Sequence, residues 1–201
     1  WSCRWSGAKG CVSEQYDELA AMSEFKLCSR KEEEQVDLDS NLAQVVIGVR
    51  RSGKSTLCYN VLKAKGEKFA YVNFDDERLD DLTTNDLNTV LEVLYKIYGD
   101  FKYLFLDEIQ NIEGWHLFVN RLLRQRLHII VTGSNAKLLS SELATHLTGR
   151  SEQIELYPLS FAEWCNCKGV DTKSVTTKAE ATRRAAFDEY LMQGGFPELL
   201  H

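Results

Sequence analysis

One stretch constrains this chain more than any other: an apolar run, Val45-Val-Ile, that feeds directly into Gly48-x-x-x-x-Gly53-Lys54-Ser55. That spacing is a phosphate-binding loop. Its glycines allow the tight backbone path that points successive N–H groups at one anion, while the lysine reaches the β and γ oxygens and the serine hydroxyl ligates Mg²⁺. Arg51, Ser52 and Thr56 complete the loop and the first turn after it. A helix starting near Lys54 would aim its positive end at the same charge. The motif needs a strand before it and a helix after it. Gln44 to Ile47 are apolar and β-branched apart from the first, and Leu57, Cys58, Val61 and Leu62 recur at helical spacing.

The second chemical element is Phe101-Lys-Tyr-Leu-Phe-Leu106 followed by Asp107-Glu108, an apolar strand that delivers two adjacent acids at its carboxyl end. Ligands of parallel α/β sheets sit at that end. With a phosphate loop upstream, Asp107 is expected to hold Mg²⁺ and Glu108 to accept a proton from the attacking water. Between these motifs, residues 69–74 read as a buried strand and Leu87 to Tyr98 as an amphipathic helix. The acids Asp75-Asp76-Glu77 that close the strand read as a solvated turn or helix cap before a site. Further on, Trp115 to Leu123 form another amphipathic helix and residues 127–132 a fourth strand, ending at Gly133-Ser134-Asn135. A polar residue there can orient water or sense the γ-phosphate, and it can equally cap a helix; the two roles are compatible. A helix carrying Leu138, Leu139, Leu143 and Leu147 follows, then Arg150, a fifth strand over 152–156, and a capping box at Ser160 and Glu163 that starts a short helix. Residues 165–177 read as a polar loop and 178–193 as a last helix, broken by Gly194-Gly195-Phe196-Pro197.

Length and composition limit the alternatives. At 201 residues and 44% hydrophobic, the chain can bury one full core with something small attached. No apolar run is long enough to span a membrane, and the chain is expected to be soluble and cytoplasmic. It starts on Trp1, which reads as a piece of something longer. The net charge of −6 is concentrated at the start: residues 1–43 hold 5 Lys/Arg against 9 Asp/Glu, leaving 19 against 21 elsewhere. A body so balanced gives no compositional support for a nucleic-acid surface, and Arg121, Arg124 and Arg126 read as a solvated face. The six cysteines lack a paired C-x-x-C arrangement and are expected to be free thiols. In the lead-in, residues 16–28 suggest a short helix around Leu19, Met22 and Phe25, with no chemistry of its own.

Taken in order, these motifs resemble the AAA-type P-loop ATPases. GVRRSGKSTL, YLFLDEIQNIEGW, IIVTGSNAKLLSSELATHLTGR, LYPLSFAEW and YLMQGGFPEL are similar to a prokaryotic group called simply ATP-binding or AAA-family ATPases, which carry a second domain of unknown function. The resemblance covers roughly residues 42–200. It implies a three-layer α/β P-loop fold with helices on both faces of a parallel sheet of order 5-1-4-3-2. The core would run over 42–157, after a lead-in of uncertain structure at 1–41 and before a helical extension at 158–201 that starts a lid or second domain.

It further implies ATP and Mg²⁺ as ligands, Asp107 and Ser55 at the metal, Glu108 as the catalytic acid, Asn135 as the sensor, and Arg150 where such ATPases present an arginine finger. A finger acting in trans would need a homo-oligomer; a salt bridge or a phosphate contact in cis are the other readings of Arg150. The expected activity is Mg-dependent ATP hydrolysis that drives a conformational or assembly change. The alternative is a switch that binds ATP with little turnover. A GTPase fits less well, since Asp107-Glu-Ile-Gln110 lacks the glycine of that metal motif and Asn135-Ala-Lys137 is not Asn-Lys-x-Asp. A small-molecule kinase lacks any acceptor motif. A nucleic-acid partner rests on analogy alone.

Overall fold

Five apolar segments form one parallel sheet in the computed structural model, which describes residues 2–22, 28–134 and 147–197. The strands are β1 (Ala43–Gly48), β2 (Phe69–Asn73), β3 (Tyr103–Asp107), β4 (His128–Ser134) and β5 (Ser151–Leu156). Their order is β2-β3-β4-β1-β5. Read from the other edge, this is the order 5-1-4-3-2 that the resemblance implied, so β4 separates the phosphate-loop strand from the acidic one. Every neighbouring pair is parallel. The physical reason lies in the sequence: β1 and β3 are buried throughout, as near-continuous apolar strands covered on both faces must be.

Alternate residues feed two cores. Val45, Ile47, Val72, Leu104, Leu106 and Val131 face α3 (Leu87–Tyr98) and α4 (Trp115–Arg124), while Val46, Phe105, Ile130 and Ile154 face α2 (Lys54–Lys65) through Leu57 and Leu62. That is period-two alternation across a pleated sheet. A third, smaller cluster lies outside both. It joins α5 (Phe161–Lys168) to α6 (Thr177–Gln193) around Leu159, Trp164, Cys165 and Ala186. The Ser160 capping box starts α5 as expected, but the helix continues past Trp164 to Lys168 and shortens the expected loop.

The lead-in differs from its sequence reading. Helix α1 runs over Ser2–Met22 and begins well before Tyr16; residues 23–27 of the expected 16–28 helix, Phe25 among them, lie outside the described residues, and Cys28 is not helical. Cys11, Val12, Gln15 and Leu19 fall on one buried face, a stripe that a count of Leu, Met and Phe alone does not reveal. Gln15 does the structural work. Its amide donates to the Asn73 carbonyl at 3.0 Å and accepts from the Asn73 N–H at 2.9 Å, so one side chain pairs with the free edge of β2 as a neighbouring strand would. Asp76 takes a second bond from the same amide and also caps the turn at Arg78, the structural role expected of that acidic cluster. The Cys11 thiol donates to the same carboxylate, and burial, with Asp76 beside it, pushes its pKa up to about 12.

The cysteine reading needs a correction. Cys28 and Cys167 form a disulfide with Cα atoms 5.4 Å apart, whereas Cys11, Cys58 and Cys165 are free. The pair is 139 residues apart in sequence, so no local spacing could signal it. Among the described residues no His/Cys/Asp/Glu group could hold a metal as a cluster. No helix among them is long and apolar enough to cross a membrane.

Replacing Gln15 by Ala leaves both Asn73 backbone groups without their partner. The expected loss is about 1 to 3 kcal/mol of unfolding free energy, read as a lower urea midpoint, with β2 amides exchanging faster than those of β3. An unchanged midpoint would remove the edge-pairing role.

Candidate functional site

The two motifs converge at the carboxyl ends of β1 and β3. After β1 the chain turns through Val49 to Ser52, and Gly53 enters α2 in the left-handed region at φ 92°. Gly48 has a different constraint. A Cβ there would lie 2.3 Å from the Leu156 carbonyl oxygen and 2.9 Å from the Ser52 Oγ, so no side chain fits between β1 and β5. Arg51 also has positive φ, 66°, and is exposed at the tip of the turn. Ser52 is fully buried, and its hydroxyl is an orphan among the described residues. Thr56 is half-buried in the first turn of α2.

Lys54 is 5% exposed. Its ammonium folds into the loop, donating to the Gly48 carbonyl at 3.3 Å and the Val49 carbonyl at 3.2 Å. It also stands 3.4 Å from Glu108 Oε1. Glu108 adopts a left-handed backbone, φ 53°, that turns its side chain off the end of β3, and Gln110 donates to its other oxygen.

Asp107 is buried among donors. The Thr132 hydroxyl donates to Oδ1, the Tyr71 hydroxyl to Oδ2 at 3.3 Å, and Ser55 is a third hydrogen-bond partner. Thr132 in turn accepts the Glu108 N–H at 3.0 Å. Burial raises the pKa of Asp107, the hydrogen bonds from Thr132 and Ser55 oppose that shift, and the charge of Glu108 adds to it. Tyr71 is pushed up strongly by its own burial and then by Asp107. The Cys58 thiol, on α2 behind the loop, is raised by burial.

A carboxylate and a serine hydroxyl side by side at the head of a helix are hard oxygen donors of the kind Mg²⁺ takes. The lysine ammonium, on the residue before Ser55, stands 3.4 Å from Glu108, the residue after Asp107. The residues present therefore fit a magnesium-bound triphosphate.

The remaining expected residues are placed differently. Arg150 is exposed and lies at the amino end of β5, where its carbonyl accepts the Ala43 N–H and its guanidinium donates to Asn120 Oδ1 at 3.0 Å. Ala43 starts the strand that Gly48 ends, so Arg150 sits roughly 16 Å along β1 from its own phosphate loop. Asn135 lies outside the described residues, as do Leu138, Leu139 and Leu143 of the helix expected after it.

Several residues at this site are assigned by no sequence motif. Thr132 and Tyr71 are polar members of otherwise apolar strands, a signal present in the sequence. Arg30 donates to the Ser52 carbonyl from well upstream, with no motif to mark it.

The comparisons agree with this geometry. A family model described as an AAA domain matches residues 40–165. An uncharacterized protein of Methanocaldococcus jannaschii is 37% identical over 187 residues, covering 91% of this chain; the chain spans 41% of that relative's length. In architecture the chain is similar to S. cerevisiae Hsp104 in its casein complex, with TM-score 0.61 at 18% identity over 94% of this chain and 38% of Hsp104. It is also similar to AMPPCP-bound DnaA from Aquifex aeolicus, with TM-score 0.51 at 16% identity over 82% of this chain and 54% of DnaA. With a family match across well over half its residues and a five-stranded parallel sheet of this order, the chain belongs to the AAA domain family and has the fold of an AAA-type P-loop ATPase.

Proposed function

We propose that this chain binds ATP with Mg²⁺ at the phosphate loop and hydrolyses it to drive a conformational or assembly change. The observation that carries the reading is the meeting of Lys54 and Glu108, 3.4 Å apart, beside the Asp107–Ser55 pair. In this reading the backbone N–H groups of residues 51–56 cradle the phosphates, and Lys54 leaves the Gly48 and Val49 carbonyls to reach their β and γ oxygens. Ser55 and Asp107 would hold the metal, whose chemistry is to neutralise charge on the transferring phosphoryl group. Glu108 takes the proton of the attacking water, with Thr132 fixing its backbone N–H. Asn135 is proposed as the polar group that orients that water. The position of Arg150 argues against a phosphate contact in cis. A catalytic role for it requires a second copy of the chain.

One observation favours the switch reading. Glu108 is engaged on both oxygens, by Lys54 and by Gln110, so in this conformation its carboxylate is already committed to partners within the protein. Binding without turnover would follow if nothing released it.

The deciding experiment is Mg-ATP turnover per subunit against protein concentration. In the hydrolysis reading Glu108→Gln keeps ATP bound while turnover falls about 10²- to 10⁴-fold, Lys54→Ala loses binding, and turnover of the unaltered protein rises with concentration. Tight binding with no turnover at any concentration selects the switch. Turnover unaffected by Glu108→Gln removes the residue from the mechanism.

Asp107 supplies an independent check. Its folded pKa is raised, so the folded state holds this proton more tightly than the unfolded chain does; the stability it contributes is present at acid pH and lost as pH rises through the folded value. At neutral pH, without metal, the ionised carboxylate is a cost. Asp107→Asn is therefore expected to raise the metal-free unfolding free energy by about 1 to 3 kcal/mol near pH 7. The gain should shrink on acidification, and added Mg-ATP should no longer stabilise the protein. Urea titrations across pH would show it, and a variant less stable than the parent at pH 7 would refute the assignment.

A further inference from the structure

Arg30 lies before β1 and outside every motif, yet its side chain is 4% exposed. Its guanidinium bonds three segments at once, one of which, α5, is also tied to the chain just before Arg30 by the Cys28–Cys167 disulfide. Nη1 donates to the Ser52 carbonyl in the phosphate loop at 3.2 Å, Nη2 to the Tyr157 carbonyl just past β5 at 2.8 Å, and Nε to Glu163 Oε1 on α5 at 3.1 Å. A planar fork of donors suits that task, and a lysine ammonium could not make all three bonds in the same directions. The Arg30 backbone is itself pinned. Glu33 accepts its N–H, and the same carboxylate oxygen accepts from Asn60 on α2 at 3.1 Å.

The Ser52 contact matters because of which peptide it holds. All described peptide bonds are trans. In a planar trans peptide the N–H points opposite to the C=O, so fixing the Ser52 carbonyl toward Arg30 fixes the Gly53 N–H away from it. Gly53 N–H is one of the amides that the ATP reading assigns to the phosphates. Gly53 is a left-handed glycine, whose own backbone preference does little to fix the orientation of that peptide.

The other end of the fork reaches the α5–α6 pair, which has its own small core. Glu163 bonds Arg30 through Oε1 and caps α5 through Oε2, which accepts the Ser160 N–H at 2.9 Å and its hydroxyl at 2.7 Å. The end of α6 returns to the same place. Gly195 accepts the Leu159 N–H at 2.6 Å, and a Cβ added at Gly53 would lie 3.3 Å from the Pro197 ring. The Ser52 carbonyl is thus held by Arg30, and Pro197 leaves little room for a side chain at Gly53.

We propose that Arg30 is a positioning residue for phosphate binding: it orients the Ser52–Gly53 peptide and ties that orientation to the docking of the α5–α6 pair. The inference rests on the ATP reading. Nucleotide in the loop stabilises the oriented peptide, and the α5–α6 pair is held more firmly in consequence. The fork transmits the effect in both directions, as linkage requires.

The test uses Arg30→Lys and Glu163→Gln, with Mg-ATP affinity from titration and hydrogen exchange of residues 159–193 measured with and without Mg-ATP. Arg30→Lys is expected to bind about 10- to 100-fold more weakly and to lose the nucleotide-induced protection of α5 and α6. Glu163→Gln keeps the Ser52 bond, so affinity should stay within about threefold while the protection response falls. A merely structural arginine would lower protection in both states without changing its response to nucleotide. Parental affinity and response in Arg30→Lys would overturn the inference and leave the ATP reading standing. Failure of the unaltered chain to bind Mg-ATP would overturn both.

Discussion

The buried carboxylate of Asp107 is the constraint on which the rest of the site depends. A charge at the centre of a parallel sheet is tolerated only when neighbouring elements supply donors, and three do so here: Tyr71 from β2, Thr132 from β4 and Ser55 from α2. Those partners come from three separate places in the sequence, so the strand order itself is part of the site. With β4 between β1 and β3, Thr132 lies in register with Val46 and fills the gap between the acidic strand and the phosphate-loop strand. One hydroxyl then serves both acids, donating to the carboxylate of Asp107 and accepting the backbone N–H of Glu108. A sheet in which β1 and β3 were neighbours would leave Asp107 without that donor.

Much of this was legible in the sequence, for a specific reason. Strands buried on both faces must be apolar throughout, so residues 43–48 and 103–107 announce themselves, and the polar groups at their ends are conspicuous against that background. The sheet order came from the resemblance, since periodicity carries no information on which strands pair. What stayed hidden depends on partners remote in sequence. Gln15 belongs to no motif and its role depends on the edge of β2, and Cys28 gives no sign of Cys167. Arg30 looks like part of a charged lead-in, yet it is one of the buried polar residues among those described. Each is a polar or sulfur-bearing residue whose partner is set by tertiary structure alone.

The placement of two arginines shows why the edge strand matters. β5 alternates buried and exposed residues, as expected of a strand covered on one side only. At its carboxyl end Arg30 ties it to the phosphate loop; at its amino end Arg150 stands exposed beside Asn120. Arg30 reaches the phosphate loop by a direct bond to Ser52, whereas Arg150 is joined to it only through the length of β1. Proximity in sequence to a motif therefore says little about reach. The arginine that touches the loop is the one that no pattern identified.

The specificity of the Gly-x-x-x-x-Gly-Lys-Ser pattern has a physical basis in this chain beyond phosphate binding. Its first glycine is fixed by strand packing, because any Cβ at Gly48 would collide with the backbone of β5. Its second is fixed by conformation, because Gly53 enters the helix with a left-handed backbone. Lys54 is fixed by burial, with an ammonium that needs the Gly48 and Val49 carbonyls and the Glu108 carboxylate to be tolerated there. Ser55 is fixed by the buried acid it bonds. These requirements are independent of one another. An ordinary glycine-rich turn would satisfy one of them by chance and would have no reason to satisfy the rest, which is why eight residues, read in the context of a strand and a helix, were enough to organise the reading of the whole chain.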